Sequence, residues 1–467
     1  MKKRIYYSAV AVLMAVILGG TVYLNSLLPI ITGYAAKYLC SAVFVSNRTA
    51  SEVESAELNF SFIQYVTSEI NYRDKSITSH FLWGSSKAIY REGLGSTLLR
   101  DTDEGALRKK KIFIPAAGYN PDTIAWPLGN IIPAIPSGED TSVLRGIAKN
   151  LICRKSYRGN AFAFLVVHHG IPVAEQYKQG FTAASRFQSW SIAKSFTNAL
   201  TGIMVKDGKL DIHQRAGIAA WQNDDRKNIT ISNLLQMESG LRWNEDYGNR
   251  SDVTMMLYNS NDFAGFAFNK PMDFPAGCHW YYSSGSANIV NYLIRKQFKD
   301  EESYDAYAPA RLFYKIGITN AVFETDPSGT QVGSSYIYAT ARDYARFGLL
   351  FLQDGVFNGE RILPEGWVSY STTPAAHSNG SYGSLFWLNS GNYYRSAPKD
   401  MYFCNGHDGQ RIFIIPSRDL VIVVLGYSPK PDNELNFNQL LNDILGSLND
   451  KNSILGEKNG WGKIKKN

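Results

Sequence analysis

The sequence predicts an α+β protein in which an antiparallel sheet is assembled from two distant parts of the chain, with helices between them. Two strand pairs support this prediction. The apolar run 161–167 turns and returns over 173–177, and the run 411–415 turns and returns over 420–425. The region from about 210 to 352 reads as mainly helical with long loops. Strands on both sides of a helical region favour one antiparallel sheet with a helical insertion beside it.

Composition excludes several classes of protein. The 467 residues leave room for one large enzyme domain plus an extension, or for two or three domains. A hydrophobic content of 45% and an aromatic content of 13% suit a globular core, and the net charge of +7 is mild for this length. No basic patch interleaved with aromatic residues indicates a nucleic-acid partner. Because the four cysteines are widely scattered, we expect no zinc site. We expect Cys278 and Cys404 to be buried, and the disulfide pairing stays open.

The N-terminus carries the pattern of a membrane anchor. Residues 1–4 include three basic side chains, and an uncharged apolar run follows from Tyr6 to about Leu24. This run is long enough to span a bilayer as a helix. The positive charges before it predict that the rest of the chain is exported, to the periplasm or the cell exterior. We therefore expect an uncleaved signal anchor over 1–26, with a cleavable signal peptide as the competing interpretation.

Three further segments complete the predicted organisation. Residues 27–136 form an extension and linker without a readable motif, and five prolines between Pro115 and Pro136 indicate an irregular, wrapped segment. The main domain is expected over 137–450 and ends in an amphipathic helix that includes Phe437 and Leu448. Residues 451–467 form a basic tail.

The central stretch is a predicted helix that begins near Ser191. Its apolar residues recur at helical spacing through Ile203, and Gly208 suits the left-handed position after the helix. Two other helices are expected after N-terminal caps, one near Thr230 and one at Thr340.

A serine followed three residues later by a lysine can form a nucleophile and its base. Ser191 and Lys194 have this spacing, which places both side chains on one face of a helix. A serine hydroxyl needs a base, and the pKa of free lysine is ~10.4, so Lys194 can act as one only if burial or nearby positive charge lowers its pKa. The pattern alone is weak, since an ordinary helix with a surface lysine has it too. Ser396 and Lys399 repeat the pattern in a stretch that reads as a loop.

Two other stretches can complete a site. In 275–285, a turn leads into aromatic and small hydroxyl residues, and Tyr282 is the candidate proton carrier. Its phenol both donates and accepts, and we expect a neighbouring ammonium to lower its pKa. In 405–410, two glycines before a strand permit close approach of a ligand to the backbone, with His407 between them.

These motifs together resemble a known superfamily. Ser191-Ile192-Ala193-Lys194, Tyr282-Ser283-Ser284 and His407-Asp408-Gly409 come in the order of the serine β-lactamases and penicillin-binding proteins. The chain is most similar to class C-like hydrolases, including 6-aminohexanoate-dimer hydrolases and related esterases, over about 161–448. The resemblance implies a β-lactamase/DD-peptidase-like fold, in which an antiparallel sheet is flanked by helices and a mainly helical subdomain.

The resemblance also implies roles for matching residues. Ser191 would be the acylated nucleophile, and Lys194 would be its base, directly or through Tyr282. Tyr282 would pass a proton to the leaving amine or alkoxide and help to activate the deacylating water. Backbone N–H groups of Ser191 and Gln410 would form the oxyanion hole. Substrate-binding positions would be Ser284, His407, Gly409, Trp190, Tyr247 and Trp387. No metal or organic cofactor is implied.

Two departures from the superfamily shape the predicted activity. Ser284 stands where class C β-lactamases have asparagine, and His407 replaces the lysine that would hold a β-lactam carboxylate. Both favour an exported hydrolase of small amide or ester bonds, attached to the membrane through its N-terminal helix. The alternatives are a D-amino-acid peptidase or β-lactamase acting on cell-wall-type substrates, and a catalytically silent sensor. The physiological substrate and oligomeric state stay open.

Overall fold

A computed structural model describes residues 2–135, 141–154, 156–429 and 433–448. The predicted basic tail at 451–467 and the predicted domain start at 137 lie outside the described residues.

The helices in chain order are α1 Lys2–Phe44, α2 Ala50–Ala56, α3 Glu104–Lys109, α4 Ser142–Ile152, α5 Ile192–Lys206, α6 Ile231–Leu235, α7 Asp252–Asn259, α8 Phe263–Phe268, α9 Ser284–Arg295, α10 Glu301–Ala308, α11 Ala341–Leu352, α12 Trp367–Thr372 and α13 Phe437–Ser447.

The strands are β1 Thr67–Asn71, β2 Ser76–Phe81, β3 Gly84–Arg91, β4 Gly95–Leu98, β5 Ala161–His168, β6 Ile171–Tyr177, β7 Phe187–Gln188, β8 Val322–Phe323, β9 Ile337–Ala339, β10 Val356–Phe357, β11 Glu360–Arg361, β12 Trp387–Leu388, β13 Tyr402–Gly406, β14 Gln410–Ile415 and β15 Leu420–Gly426.

The main sheet joins the two predicted hairpins. Its strand order is β12-β13-β14-β15-β5-β6, and neighbouring strands are antiparallel. Strand β15 pairs with β14 on one side and with β5 on the other, so that Val423 lies opposite Leu165. The prediction of one antiparallel sheet built from distant parts of the chain is confirmed.

Alternating side chains of the sheet enter two separate cores. On one face, Leu165 and Val423 belong to a core that includes Phe196 of α5 and Phe347 of α11. On the other face, Phe164 and Val424 pack with α4 and α13. This alternation follows from the two-residue period of a strand. Because helices cover both faces, both sets of strand side chains are apolar, which explains the continuous apolar runs in the sequence.

The region between the hairpins is mainly helical, as expected. Thr230 caps α6 and Thr340 caps α11, each in a reciprocal capping box with the residue three positions later. A small sheet of order β7-β9-β8 lies among these helices and brings Gln188, just before the predicted nucleophile, next to Tyr338.

The N-terminal helix is much longer than the predicted span. It continues through Pro29 to Phe44, and its apolar residues change from exposed to buried at about Leu28. Beyond that point α1 packs against β2, β3 and β4 of the four-stranded sheet β1-β2-β3-β4. Lys37 forms a buried ion pair with Glu324 in the helical region. Tertiary packing therefore extends the helix beyond the apolar run that predicted it.

The proline-rich segment is irregular and wraps the main domain. The Tyr119 hydroxyl donates to the carbonyl of Tyr314, and the guanidinium of Arg346 donates to the carbonyls of Pro127 and Gly129. These contacts fit the predicted wrapped segment.

One prediction about the cysteines is wrong. Cys404 is buried on β13, but Cys278 is exposed, because it ends a surface turn in which Gly277 has a φ of 79°. Cys40 and Cys153 are also free thiols, buried and exposed respectively.

Candidate active site

Ser191 is the N-cap residue of α5 and is partly exposed, while the first turns of the helix behind it are buried. The preceding residue, Trp190, has a φ of 45°, a left-handed conformation that costs a bulky residue on the order of 1–3 kcal/mol. Such a conformation persists only where the surrounding structure holds it. The nucleophile candidate therefore follows a strained residue that is packed in place.

Lys194 lies one helical turn further on and is 1% exposed. Its ammonium Nζ is 2.9 Å from Ser191 Oγ, 3.0 Å from Ser284 Oγ and 3.1 Å from the carbonyl oxygen of Ser334. Burial lowers the pKa of Lys194 to about 8, while the charge of Glu245 opposes this shift. A group with that pKa at hydrogen-bonding distance from a serine hydroxyl can accept its proton near neutral pH.

Tyr282 converges on the same two side chains from a distant part of the sequence. Lys194 Nζ lies 4.8 Å from the centre of the Tyr282 ring. Burial, together with the charge of Glu245, raises the pKa of Tyr282 well above its usual value, and a side-chain interaction with Ser191 opposes this rise only in part. The expectation that a neighbouring ammonium would lower it is wrong, because desolvation of the phenolate dominates. Tyr282 is therefore a neutral phenol at physiological pH.

Glu245 is a site residue that sequence reasoning missed. Its carboxylate accepts hydrogen bonds from Ser284 Oγ at 2.5 Å, from Ser284 N at 2.9 Å and from Trp243 Nε1 at 2.5 Å. Ser284 thus links Glu245 to Lys194. In the sequence, Glu245 is one of several carboxylates in a polar loop, and no local pattern distinguishes it from Asp246.

Ser284 differs from its predicted role as a substrate contact. It is fully buried at the start of α9, and its hydroxyl is engaged by Lys194 and Glu245. Its position fits a residue that orients the lysine rather than one that touches substrate.

The residues predicted to line the pocket lie in two places: His407, Tyr247 and Trp190 contact one another, and Trp387 contacts Tyr282. The His407 ring stacks on Tyr247 with ring centres 4.7 Å apart and meets Trp190 edge-on at 5.3 Å. Trp387 lies against Tyr282, with ring centres 5.4 Å apart. His407 is exposed, but Trp190 is almost fully buried, so Trp190 supports the pocket wall from behind, whereas the resemblance implied that it binds substrate.

The turn between β13 and β14 lies close to the nucleophile segment. A Cβ atom added at Gly406 would come within 2.4 Å of the carbonyl oxygen of Ser189, so only glycine fits there. Asp408 and Gly409 both have positive φ, and Gln410 begins β14 directly after them. The start of β14 is thereby held beside the start of α5, where the oxyanion hole is predicted.

The second Ser-x-x-Lys stretch plays no part in this arrangement. Ser396 and Lys399 lie in a turn region between β12 and β13, and Lys399 is exposed. The expectation of a loop is confirmed.

The N-terminal helix adds two residues that sequence reasoning also missed. Tyr34 and Tyr38 pack on the Trp190 ring, with ring centres 6.5 Å and 6.4 Å away. No signal in the sequence connects an N-terminal apolar helix with a site more than 150 residues later. The extension is therefore part of the structure that supports the nucleophile.

Comparisons with known proteins identify the family to which the chain belongs. The model of the family described as Beta-lactamase matches residues 149–442. A 6-aminohexanoate-dimer hydrolase from Paenarthrobacter ureafaciens is 24% identical over 301 residues, which cover 58% of this chain and 73% of that protein.

Two solved structures show the same fold. A Bacillus anthracis protein, provisionally named a 6-aminohexanoate-dimer hydrolase, is 22% identical and superposes with a TM-score of 0.57, covering 72% of this chain and 90% of its own. A family VIII carboxylesterase is 14% identical, with a TM-score of 0.52 over 68% of this chain and 99% of its own. The chain belongs to the beta-lactamase family and is a β-lactamase-related serine hydrolase.

Proposed function

We propose that this protein cleaves a small amide or ester bond through an acyl-enzyme on Ser191. The observation that carries the proposal is the 2.9 Å contact between Ser191 Oγ and the buried Lys194 Nζ, whose pKa is lowered to about 8. Neutral Lys194 takes the proton of Ser191 as its oxygen attacks the carbonyl carbon. Tyr282, a neutral phenol beside Lys194, donates a proton to the leaving amine or alkoxide and is reprotonated from Lys194.

The remaining roles follow from position. Backbone N–H groups of Ser191 and Gln410 stabilise the oxyanion, an effect worth about 2.7–4 kcal/mol per donor in other acyl-transfer enzymes. The aromatic ring of Tyr247, the imidazole of His407 and Trp387 contact the substrate. Because His407 stands where relatives have the lysine that would hold a β-lactam carboxylate, a neutral substrate fits better than a carboxylate such as a β-lactam.

We also propose that α1 anchors the protein in a membrane and that the hydrolase domain is exported. Within the described residues, α1 is the one helix long and apolar enough to cross a bilayer, and its most apolar window is wholly exposed. The basic residues before it favour an N-terminus inside the cell.

Covalent labelling tests the nucleophile. A fluorophosphonate probe should label the wild-type protein and the Ser396→Ala variant, which alters the other Ser-x-x-Lys stretch, but not Ser191→Ala. Labelling of Ser191→Ala would overturn the assignment. Turnover of p-nitrophenyl esters and small anilides, with little turnover of nitrocefin, is expected; labelling without turnover of any of them would contradict the enzymatic proposal.

A further inference from the structure

The surface around α1, where it enters the folded domain, carries an unusual group of exposed apolar side chains. Leu82 and Trp83 form the tip of the β2–β3 hairpin and are 61% and 59% exposed. Phe60 and Phe62 lie beside them, at the start of a short 3-10 helix over Ser61–Tyr65, and are also exposed. These four residues are called the apolar collar below.

The collar is attached to α1 at the level where that helix changes from exposed to buried. Trp83 Nε1 donates a 2.6 Å hydrogen bond to Asn25 Oδ1. A Cβ atom added at Gly84 would lie 2.7 Å from the Cβ of Leu28, so the hairpin lies directly on the helix. Phe62 packs on Phe81 of the same hairpin, with ring centres 6.2 Å apart, and Phe60 meets Tyr34 edge-on at 5.7 Å. The collar therefore lies directly against the end of the exposed part of α1.

Leu82 combines an exposed apolar side chain with an unfavourable backbone conformation. Its φ is 54°, a region that glycine adopts freely and that a bulky side chain adopts only at a cost. A glycine or asparagine at this turn would avoid the strain, and a polar residue would avoid exposing an apolar side chain. The chain holds leucine there in spite of both penalties.

The chemistry of the collar favours a lipid interface over a protein partner. Residues 58–66 and 81–86, which carry the collar, contain no charged residue. Tryptophan, with an apolar ring and one N–H donor, and phenylalanine are suited to the boundary between headgroups and acyl chains. The exposed apolar residues of α1 extend from Ile5 to Tyr23, and the collar contacts the helix immediately after them, through Asn25.

We propose that the apolar collar docks through Phe62, Leu82 and Trp83 into the interfacial layer of the bilayer that α1 spans, with Phe60 at the upper edge of the collar against Tyr34. The domain would then rest on the membrane instead of swinging freely from a single helix. Tyr34, which packs on Trp190 beside the nucleophile, is nine residues after Asn25, or about 14 Å along the helix axis. Docking would thus hold the active site a short, constant distance above the lipid surface. This inference rests on the proposed insertion of α1.

Photo-crosslinking of the full chain in proteoliposomes tests the proposal. A benzophenone amino acid is placed singly at Phe62, at Trp83, at Val16 in the exposed part of α1, and at Phe274, an exposed aromatic outside the extension. Phe62 serves beside Trp83 because its side chain makes no hydrogen bond that the substitution could break. Fluorophosphonate labelling at the wild-type level shows that each variant is folded.

Docking predicts lipid adducts at positions 16, 62 and 83 and several-fold fewer at position 274. If position 16 forms lipid adducts while positions 62 and 83 form no more than position 274, the collar proposal is overturned and the proposal that α1 is an anchor stands. Adducts at 62 and 83 but not at 16 would refute insertion of α1 and with it the proposal that the collar docks on the bilayer that α1 spans. Crosslinks from 62 or 83 to a protein, including a second copy of this chain, would overturn the assignment to lipid. Adducts at none of these positions would refute both.

Discussion

Tyr34 of the N-terminal helix stacks against Trp190, the residue directly before Ser191, with ring centres 6.5 Å apart and ring planes at 24°. Trp190 also contacts Tyr38, Tyr247 and His407. The strained backbone of Trp190 is therefore held from the side of the extension and from the side of the pocket. This relationship couples the packing of α1 to the position of the nucleophile.

Removal of the Tyr34 ring should slow the chemical step. Truncation of a packed aromatic residue to alanine costs about 3–5 kcal/mol in a core, and less at the half-buried Tyr34. We expect Tyr34→Ala to lower kcat roughly tenfold with a smaller change in KM, because a slight displacement of Ser191 affects the reacting geometry. Steady-state kinetics of the detergent-solubilised protein, below its unfolding temperature, measures the changes in kcat and KM separately.

Two controls separate positioning from general destabilisation. Tyr34→Phe keeps the stacked ring and should restore kcat. Tyr72→Ala removes an exposed tyrosine of the same extension and should leave kcat unchanged. Equal losses of kcat in the alanine and phenylalanine variants of Tyr34 would show that stacking is not the cause.

The rate of acylation should rise with pH through about 8. Burial lowers the pKa of Lys194 to about 8, and the neutral amine is the form that accepts the serine proton. At pH 7 about one tenth of the enzyme would hold this form, and the fraction approaches one above pH 9. The pH dependence of kcat/KM reports the pKa in the free enzyme. If kcat/KM instead rose around pH 10.5, Lys194 would not be desolvated in the working enzyme.

Neutralising Glu245 should shift the rise of kcat/KM to lower pH. The negative charge of Glu245 raises the pKa of Lys194, so Glu245→Gln removes a stabilising partner of the ammonium. The pH at half-maximal kcat/KM is expected to fall, while Asp246→Asn, the same charge change on the exposed neighbour, leaves it in place. A shift to higher pH in Glu245→Gln, or an equal shift in both variants, would contradict the assigned role of Glu245.

Loss of the Tyr282 hydroxyl should slow turnover by orders of magnitude. General acid–base groups contribute roughly 10²–10⁴ in rate. We expect Tyr282→Phe to lower kcat within that range, because it removes the phenol hydroxyl that interacts with the Ser191 side chain. Tyr281→Phe alters the adjacent, exposed tyrosine and serves as the matched control. Near-normal turnover in Tyr282→Phe would remove this residue from the mechanism; Lys194→Ala is expected to be at least as slow.

The buried ion pair between Lys37 and Glu324 should contribute strongly to the attachment of α1. Glu324 is completely buried, and its carboxylate also accepts hydrogen bonds from Ser41 Oγ at 2.8 Å and from Ser96 N at 2.7 Å. Lys37→Met leaves a buried charge without its cation, a change that costs about 3–5 kcal/mol. Thermal denaturation of the solubilised protein should show a clear loss of stability.

The exposed pair of Lys315 and Glu360 supplies the comparison. Lys315→Met should change stability by no more than about 1 kcal/mol, because solvent screens a surface pair. Similar effects of Lys37→Met and Lys315→Met would show that the buried pair adds little.

Local patterns predicted the parts of the molecule whose structure depends on nearby residues. The spacing of Ser191 and Lys194, the caps at Thr230 and Thr340, and both hairpins of the main sheet follow from helix and strand periods that the sequence displays directly. The site residue Glu245 was not predictable in this way. Its partner Ser284 is 39 residues away, and the loop that carries Glu245 has no periodic pattern.

Burial was the property that the sequence predicted least well. Cys278 was expected to be buried and is exposed, while Ser284 was expected to face substrate and is buried. The pKa of Tyr282 moved opposite to the expected direction for the same reason, since the amount of water around a side chain depends on residues from many parts of the chain.

The sequence by itself determined which groups are available for chemistry: a hydroxyl and an amine one helical turn apart, a phenol in a second stretch, and an apolar N-terminal helix. Only the tertiary structure decided that burial lowers the pKa of the amine, that Glu245 and Ser284 bracket it, and that the N-terminal helix continues into the domain to pack on Trp190. The physical reason is the separation along the chain over which each interaction acts. Helix periodicity and capping act within a few residues, whereas desolvation and ring packing depend on neighbours brought together by the fold.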